Sequence, residues 1–95
     1  MAARLVIRER IVHPNGSLVE MVAWRVPRPV PPTTHGFKYR LAYAVGGKRV
    51  LGYDHERGKG DHRHVGNRDE PFMFTTIDEL MARFVADVDA LRRRP

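Results

Sequence analysis

The chain has 95 residues, 42% of them hydrophobic, with one Trp, four Phe and three Tyr, and a chain of this size forms one modest core as a single domain over residues 1–95. It contains no cysteine, which excludes a disulfide framework and a cysteine-ligated zinc site. Seventeen Lys and Arg against eleven Asp and Glu leave a formal charge of +6, so polyanions or acidic surfaces are the expected partners, with nucleic acid first.

No apolar run approaches the ~20 residues that a membrane span needs, and Met1 to Arg10 has no long apolar stretch before its charges, so no signal peptide is read there. A cytoplasmic protein with no membrane contact is expected.

In chain order, Arg4 to Val12 carries Leu5, Val6, Ile7, Ile11 and Val12 around Arg8, Glu9 and Arg10, the pattern of a strand with one wet face. Pro14-Asn15-Gly16 is a hairpin turn, and Leu18 to Val26 returns antiparallel to it. Four prolines between Pro27 and Pro32 remove the backbone donors that a helix or interior strand needs, so this is an extended connector; a polyproline ligand is the alternative. Phe37, Tyr39, Leu41 and Tyr43 alternate with Lys38, Arg40 and Ala42, which puts rings on one face and cations on the other. Gly46-Gly47 is a second turn, and Arg49 to Tyr53 returns as the fourth strand.

From Asp54 to Pro71 the composition turns polar, with three glycines and three histidines. It reads as a long loop with room for one short strand near His62 to Val65. Phe72-Met73-Phe74 re-enters the core. Thr76 to Glu79 is a capping box, and Ile77, Leu80, Met81, Phe84, Val85, Val88 and Leu91 form one helical stripe up to about Arg92. Arg92, Arg93 and Arg94 complement the dipole at its end, or alternatively grip phosphate. The expected fold is α+β: two layers, an antiparallel sheet of about four strands in two hairpins, packed against one C-terminal helix. Arg8, Arg10, Lys38 and Arg40 would make the uncovered sheet face basic.

Candidate chemistry concentrates between Tyr53 and Arg68. Cleavage of RNA through the 2′-hydroxyl needs a base near neutrality, an acid for the leaving oxygen and cations on the phosphate, and histidine with Arg or Lys supplies all three. In an extended backbone His62 and His64 project to one side and Arg63 to the other. The pair can serve as base and acid. It can also hold a metal with His55, Asp54 or Asp61 as third ligand, or be solvated loop residues with no chemistry. His13 and His35 read as surface turn residues. Tyr43 and Tyr53 read as packing residues, with base stacking as the alternative.

Tyr39-Arg40-Leu41 with Tyr43, the run from Gly52-Tyr53-Asp54 through Lys59 to His62-Arg63-His64, Pro71-Phe72, and a capped helix carrying Asp87-Val88 together resemble the TumE family of bacterial toxins. The resemblance spans Phe37 to Val88. It implies the toxin half of a type II toxin–antitoxin pair acting on RNA, with a helix-turn-helix DNA-binding antitoxin as partner. The positions matching the recurring pattern are Tyr53, Asp54, His62, Arg63 and His64.

The leading functional expectation is a metal-independent endoribonuclease without cofactor. His62 and His64 act as base and acid, Arg63 with Lys59 stabilises the phosphorane, and Asp54 or Asp61 orients an imidazole, with Tyr53 completing the set. Arg57 and Arg68 position flanking phosphates, and Lys38 and Arg40 on the open face hold the strand. Two further readings stand beside it: a non-catalytic basic module that binds nucleic acid, ribosome or an acidic protein, and a homodimer closed by the uncovered face.

Overall fold

The computed structural model describes residues 2–93, of which six strands and one helix make up the greater part. The strands are β1 (Arg4–Val12), β2 (Leu18–Arg25), β3 (Phe37–Val45), β4 (Lys48–Glu56), β5 (Gly60–Val65) and β6 (Arg68–Pro71), followed by the helix α1 (Ile77–Arg92). Each strand pairs antiparallel with the next in sequence, in the order β1-β2-β3-β4-β5-β6. The architecture is the expected α+β sheet-and-helix arrangement, but with six strands where about four were expected.

The difference lies in the polar segment. β4 continues past Tyr53 to Glu56, and the stretch read as a loop forms two more hairpins. Gly58 and Gly60, at φ 86° and 83°, shape the β4–β5 turn, and Gly66, at φ 59°, donates its N–H to the Val50 carbonyl at 3.1 Å in the next turn. These strands carry almost no apolar alternation because their side chains bond to one another across the ladder rather than enter the core.

Parity sorts the sheet. Val19, Met21 and Ala23 of β2, Tyr39, Leu41 and Tyr43 of β3, and Leu51 and Tyr53 of β4 are buried together on the helix side. α1 adds Leu80, Phe84 and Val88, four residues apart and so on one stripe. Phe84 is 0% exposed and stands edge-on to Tyr53, ring centroids 6.1 Å apart. The even-numbered residues of β2, β3 and β5, and those of β4 from Gly52 onward, face away from the helix. Pairing of Arg8 with Val22, Val22 with Arg40 and Trp24 with Lys38 places those cations there, with the Arg8 guanidinium over Trp24 at 5.8 Å.

The helix starts where the capping pattern puts it. The Thr76 hydroxyl accepts the Glu79 N–H at 3.1 Å, while the Glu79 carboxylate accepts from the neighbouring Thr75 hydroxyl at 2.6 Å. Of the terminal arginine run, Arg94 lies outside the described residues. The proline connector folds back over one end of the sheet, its Pro31 carbonyl accepting the Gly58 N–H of the β4–β5 turn at 3.0 Å. Among the described residues no helix is long and apolar enough to cross a membrane.

Burial along α1 sets its mutational profile. Phe84→Ala removes a fully enclosed ring and lowers the unfolding free energy by about 3–5 kcal/mol, whereas Val85→Ala, at a position 49% exposed, changes it by less than about 0.5 kcal/mol. Urea unfolding of the two variants beside the parent chain checks the contrast.

Candidate functional site

β5 splits the sequence motif between two faces. His62 pairs with Asp54 on one side and Pro71 on the other, and His64 pairs with Gly52 and Asp69, all on the open face. Arg63 pairs with Tyr53 and Glu70 on the helix face. The histidines therefore share a side with Asp54 and Asp69. Their rings lie 6.4 Å apart, centroid to centroid, at 25° to each other.

The two imidazoles are held differently. His62 has its Nδ1 2.8 Å from an Asp69 carboxylate oxygen and its Nε2 3.0 Å from the Lys59 carbonyl. Both partners accept only, so both contacts are satisfied at once only by the doubly protonated ring, and the site favours the imidazolium form. The Asp69 hydrogen bond raises the His62 pKa, and the same bond lowers that of Asp69. His64 has Nε2 3.2 Å from Asp54 Oδ1, which fixes the proton on that nitrogen. Its Nδ1 lies 3.6 Å from Asp69 Oδ1, within ion-pair range but beyond hydrogen-bonding distance, and is the one ring nitrogen of the pair with no hydrogen bond.

On the helix face a second network joins β4, β5 and α1. The buried Tyr53 hydroxyl donates to Asp87 Oδ2 and accepts the Arg63 Nε–H at 2.9 Å. The Arg63 guanidinium also donates to Glu70 at 3.0 Å and to Asp87 at 3.2 Å. Burial and then the Asp87 bond raise the Tyr53 pKa, while Arg63, despite burial, is held more firmly protonated by Tyr53 and Glu70. With two carboxylates and a phenol on it, Arg63 has its charge and donors engaged.

A third cluster lies at the end of the sheet under the proline connector. The His35 Nδ1 accepts the Phe37 N–H at 3.2 Å, so its Nε2–H donates to Asp61 at 2.8 Å, beside the Tyr39 hydroxyl, which donates to the same carboxylate at 2.6 Å. Burial, and after it the Asp61 bond, raises the Tyr39 pKa. His55, 4% exposed, bonds through Nε2 to the Thr33 hydroxyl at 2.9 Å, which itself donates to the Val30 carbonyl. Its Nδ1 is buried without a partner, and burial lowers its pKa. A cleft of about 440 Å³ lined by Thr33, His35, Asp61, Phe72 and Phe74 adjoins these groups. The polar atoms of His35, Tyr39 and Asp61 are spent on one another, so these three clamp the connector to the sheet, and the ring nitrogen left over is the buried His55 Nδ1.

The structure thus brings together His62, His64 and Asp54 of the expected site residues, with Lys59 in the adjoining turn and Arg40 opposite Asp54 in the ladder. It places Tyr53 and Arg63 on the other face, and Arg68 there too, beside Arg63 and Asp87 in a cleft under α1. Arg63 therefore cannot stand with Lys59 over a phosphate held by the histidines, as the sequence suggested. Arg57 is exposed in the β4–β5 turn, and Lys38 lies farther along the open face. His55 and Asp61 sit on the helix face, which breaks the metal sets built with them. Among the described residues no group of three or more His, Asp or Glu is arranged to hold a metal ion.

Sequence reasoning missed Asp69, Asp87 and His35. Asp69 was findable, because Gly66-Asn67 is as good a turn signal as Gly46-Gly47 and returns the chain against His64. His35 is not the surface turn residue expected of it: its ring stacks on Phe74 with centroids 3.9 Å apart.

In comparison with known proteins, a family model described as Toxin TumE fits residues 2–92. Neither the curated proteins nor the solved structures compared show a match.

Two outcomes follow from these networks. Tyr53→Phe leaves the Asp87 and Arg63 groups short of a partner and lowers the unfolding free energy by about 1–3 kcal/mol, measurable by chemical denaturation. The histidines also set opposite pH limbs. The raised pKa of His62 stabilises the fold fully below ~6.5 and is lost as pH rises through the folded value, while the depressed pKa of His55 costs stability as pH falls below ~6.5. Denaturation midpoints across pH should peak near that value, and His62→Gln should flatten the alkaline limb while leaving the acid limb in place.

Proposed function

Because this chain belongs to the TumE toxin family and is a toxin of a toxin–antitoxin system, we propose that it acts by cleaving RNA on the open face of its sheet. The observation that carries this reading is the unequal pair: His62 bonded through both ring nitrogens to acceptors of Asp69 and Lys59, which favour its protonated form, and His64 bonded through Nε2 to Asp54 with Nδ1 outside hydrogen-bonding distance of Asp69. A base and an acid poised side by side are what a 2′-hydroxyl attack requires.

In the proposed reaction His64 Nδ1 takes the 2′-hydroxyl proton, and the 2′-oxygen attacks the adjacent phosphorus. The bond to the 5′-oxygen breaks as His62 passes its Nε2 proton to that leaving oxygen, which displaces the Lys59 carbonyl as its acceptor. The products are a 2′,3′-cyclic phosphate and a 5′-hydroxyl. Asp54 orients His64, Asp69 supports His62, and the Lys59 ammonium meets the charge on the phosphorane. Arg40 and Lys38 hold the strand along the face, with Arg57 at its margin. Tyr53 and Arg63 act at a distance, by fixing β5 to the helix.

An antitoxin partner follows from the family. We take it to be a helix-turn-helix protein that silences the toxin in the cytoplasm, where RNA is met. A non-catalytic module binding RNA or the ribosome remains the competing reading, since the same cations serve it; closure into a homodimer is compatible with either.

The test is incubation of the purified protein with labelled RNA, with and without EDTA, beside a His62→Ala/His64→Ala double variant. Cleavage that resists EDTA, leaves cyclic phosphate ends and falls by at least about 100-fold in the variant is the expected outcome. Retained cleavage in the variant removes the histidine mechanism, and RNA bound but intact in every lane favours the binding module.

A further inference from the structure

We propose that Arg49, seated over Gly52 beside His64, is the residue that grips the phosphodiester on the open face. This rests on the reading that the open face meets RNA, but the argument comes from the backbone.

Arg49 shares odd parity with Leu51 and Tyr53, whose side chains are buried on the helix side. A regular strand would point it the same way. The β3–β4 ladder is irregular at this place: Tyr43 pairs with Leu51 but Ala44 pairs with Arg49, so Val50 is an extra residue. The bulge reverses the facing of everything before it and turns Arg49 onto the open face with Ala44. Bulges re-aim single side chains in this way, and are common beside functional sites.

Gly52 supplies the seat. A Cβ there would lie 3.2 Å from Arg49 Cδ and 3.5 Å from Nε and Nη1, so the side chain of Arg49 crosses the space that any other residue at 52 would fill. Gly52 is not among the glycines with positive φ; the site uses its missing side chain, not its backbone freedom. Gly52 is also the ladder partner of His64, so Arg49 lies over the residue directly beside that histidine on the same face.

The cation is available. Arg49 is exposed, and among the described residues it makes no ion pair, whereas Arg63 is bound to both Asp87 and Glu70. A guanidinium presents a planar edge of N–H donors, which fits two oxygens of a phosphodiester better than a lysine ammonium does.

Arg49→Ala, Arg49→Lys and Gly52→Ala, compared with the parent protein, test this in two assays: single-turnover cleavage of labelled RNA, and binding of the same RNA made uncleavable by 2′-deoxy substitution. Arg49→Ala should cleave about 100-fold more slowly, with partial rescue by added guanidinium and little from Arg49→Lys. It should also bind the uncleavable RNA more weakly, with a salt slope reduced by about one contact. Gly52→Ala should reproduce both losses, because its methyl displaces the guanidinium; Arg49→Ala, at an exposed position, keeps the test valid if that variant folds poorly. Arg49→Ala that cleaves and binds like the parent overturns the proposal. If the parent protein binds RNA without cutting it, the cleavage reading fails by itself, and the binding assay alone decides Arg49.

Discussion

The Tyr53 hydroxyl, held between Asp87 of the helix and Arg63 of β5, is the contact on which the rest of the arrangement depends. It joins α1 to β4 and to β5, the strand that carries both open-face histidines, and it does so in the core, with Phe72 and Phe84 edge-on to the same ring. Fixing Arg63 toward the helix fixes its neighbours the other way, because a strand alternates without exception where it is regular. The chemistry of the open face is thus set by a bond on the hidden one.

Much of this was legible in the sequence, and the exceptions have physical causes. β1 to β4 and α1 announce themselves through apolar alternation, the turn residues at Asn15-Gly16 and Gly46-Gly47, and the Thr76 cap. β5 and β6 do not, since His62, His64, Asp54 and Asp69 satisfy one another across the ladder and leave no apolar period to read. The side-by-side placement of His62 and His64 was readable from spacing alone. What spacing could not reveal was that Tyr53 and Arg63, adjacent to them in the motif, would be recruited to hold the helix. Nor could it reveal the bulge at Val50, a break in pairing that no residue type at that point signals.

Charge is partitioned along the same lines. Arg63, the part-buried cation on the helix side, meets carboxylates of Asp87 and Glu70, because a charge removed from water must be matched. On the open face Arg8, Lys38, Arg40 and Arg49 make no ion pair within the described residues. Of its carboxylates, Asp54 and Asp69 serve the histidines instead. The net charge of +6 therefore does not spread evenly over the molecule, and the face with the unmatched cations is the one with the paired imidazoles.

The meander with its helix placed after every strand also turns chain order into a timetable. Chains are synthesised from the N-terminus and fold as they emerge, so β1, β2 and β3 leave the ribosome with Tyr39, Leu41 and Tyr43 uncovered. Asp87 follows Tyr53 by 34 residues and Arg63 by 24. Until it arrives β5 has no anchor on the hidden side, and the histidines have no fixed orientation on the other. A translation product interrupted before Asp87 would carry the motif without the geometry that fixes it.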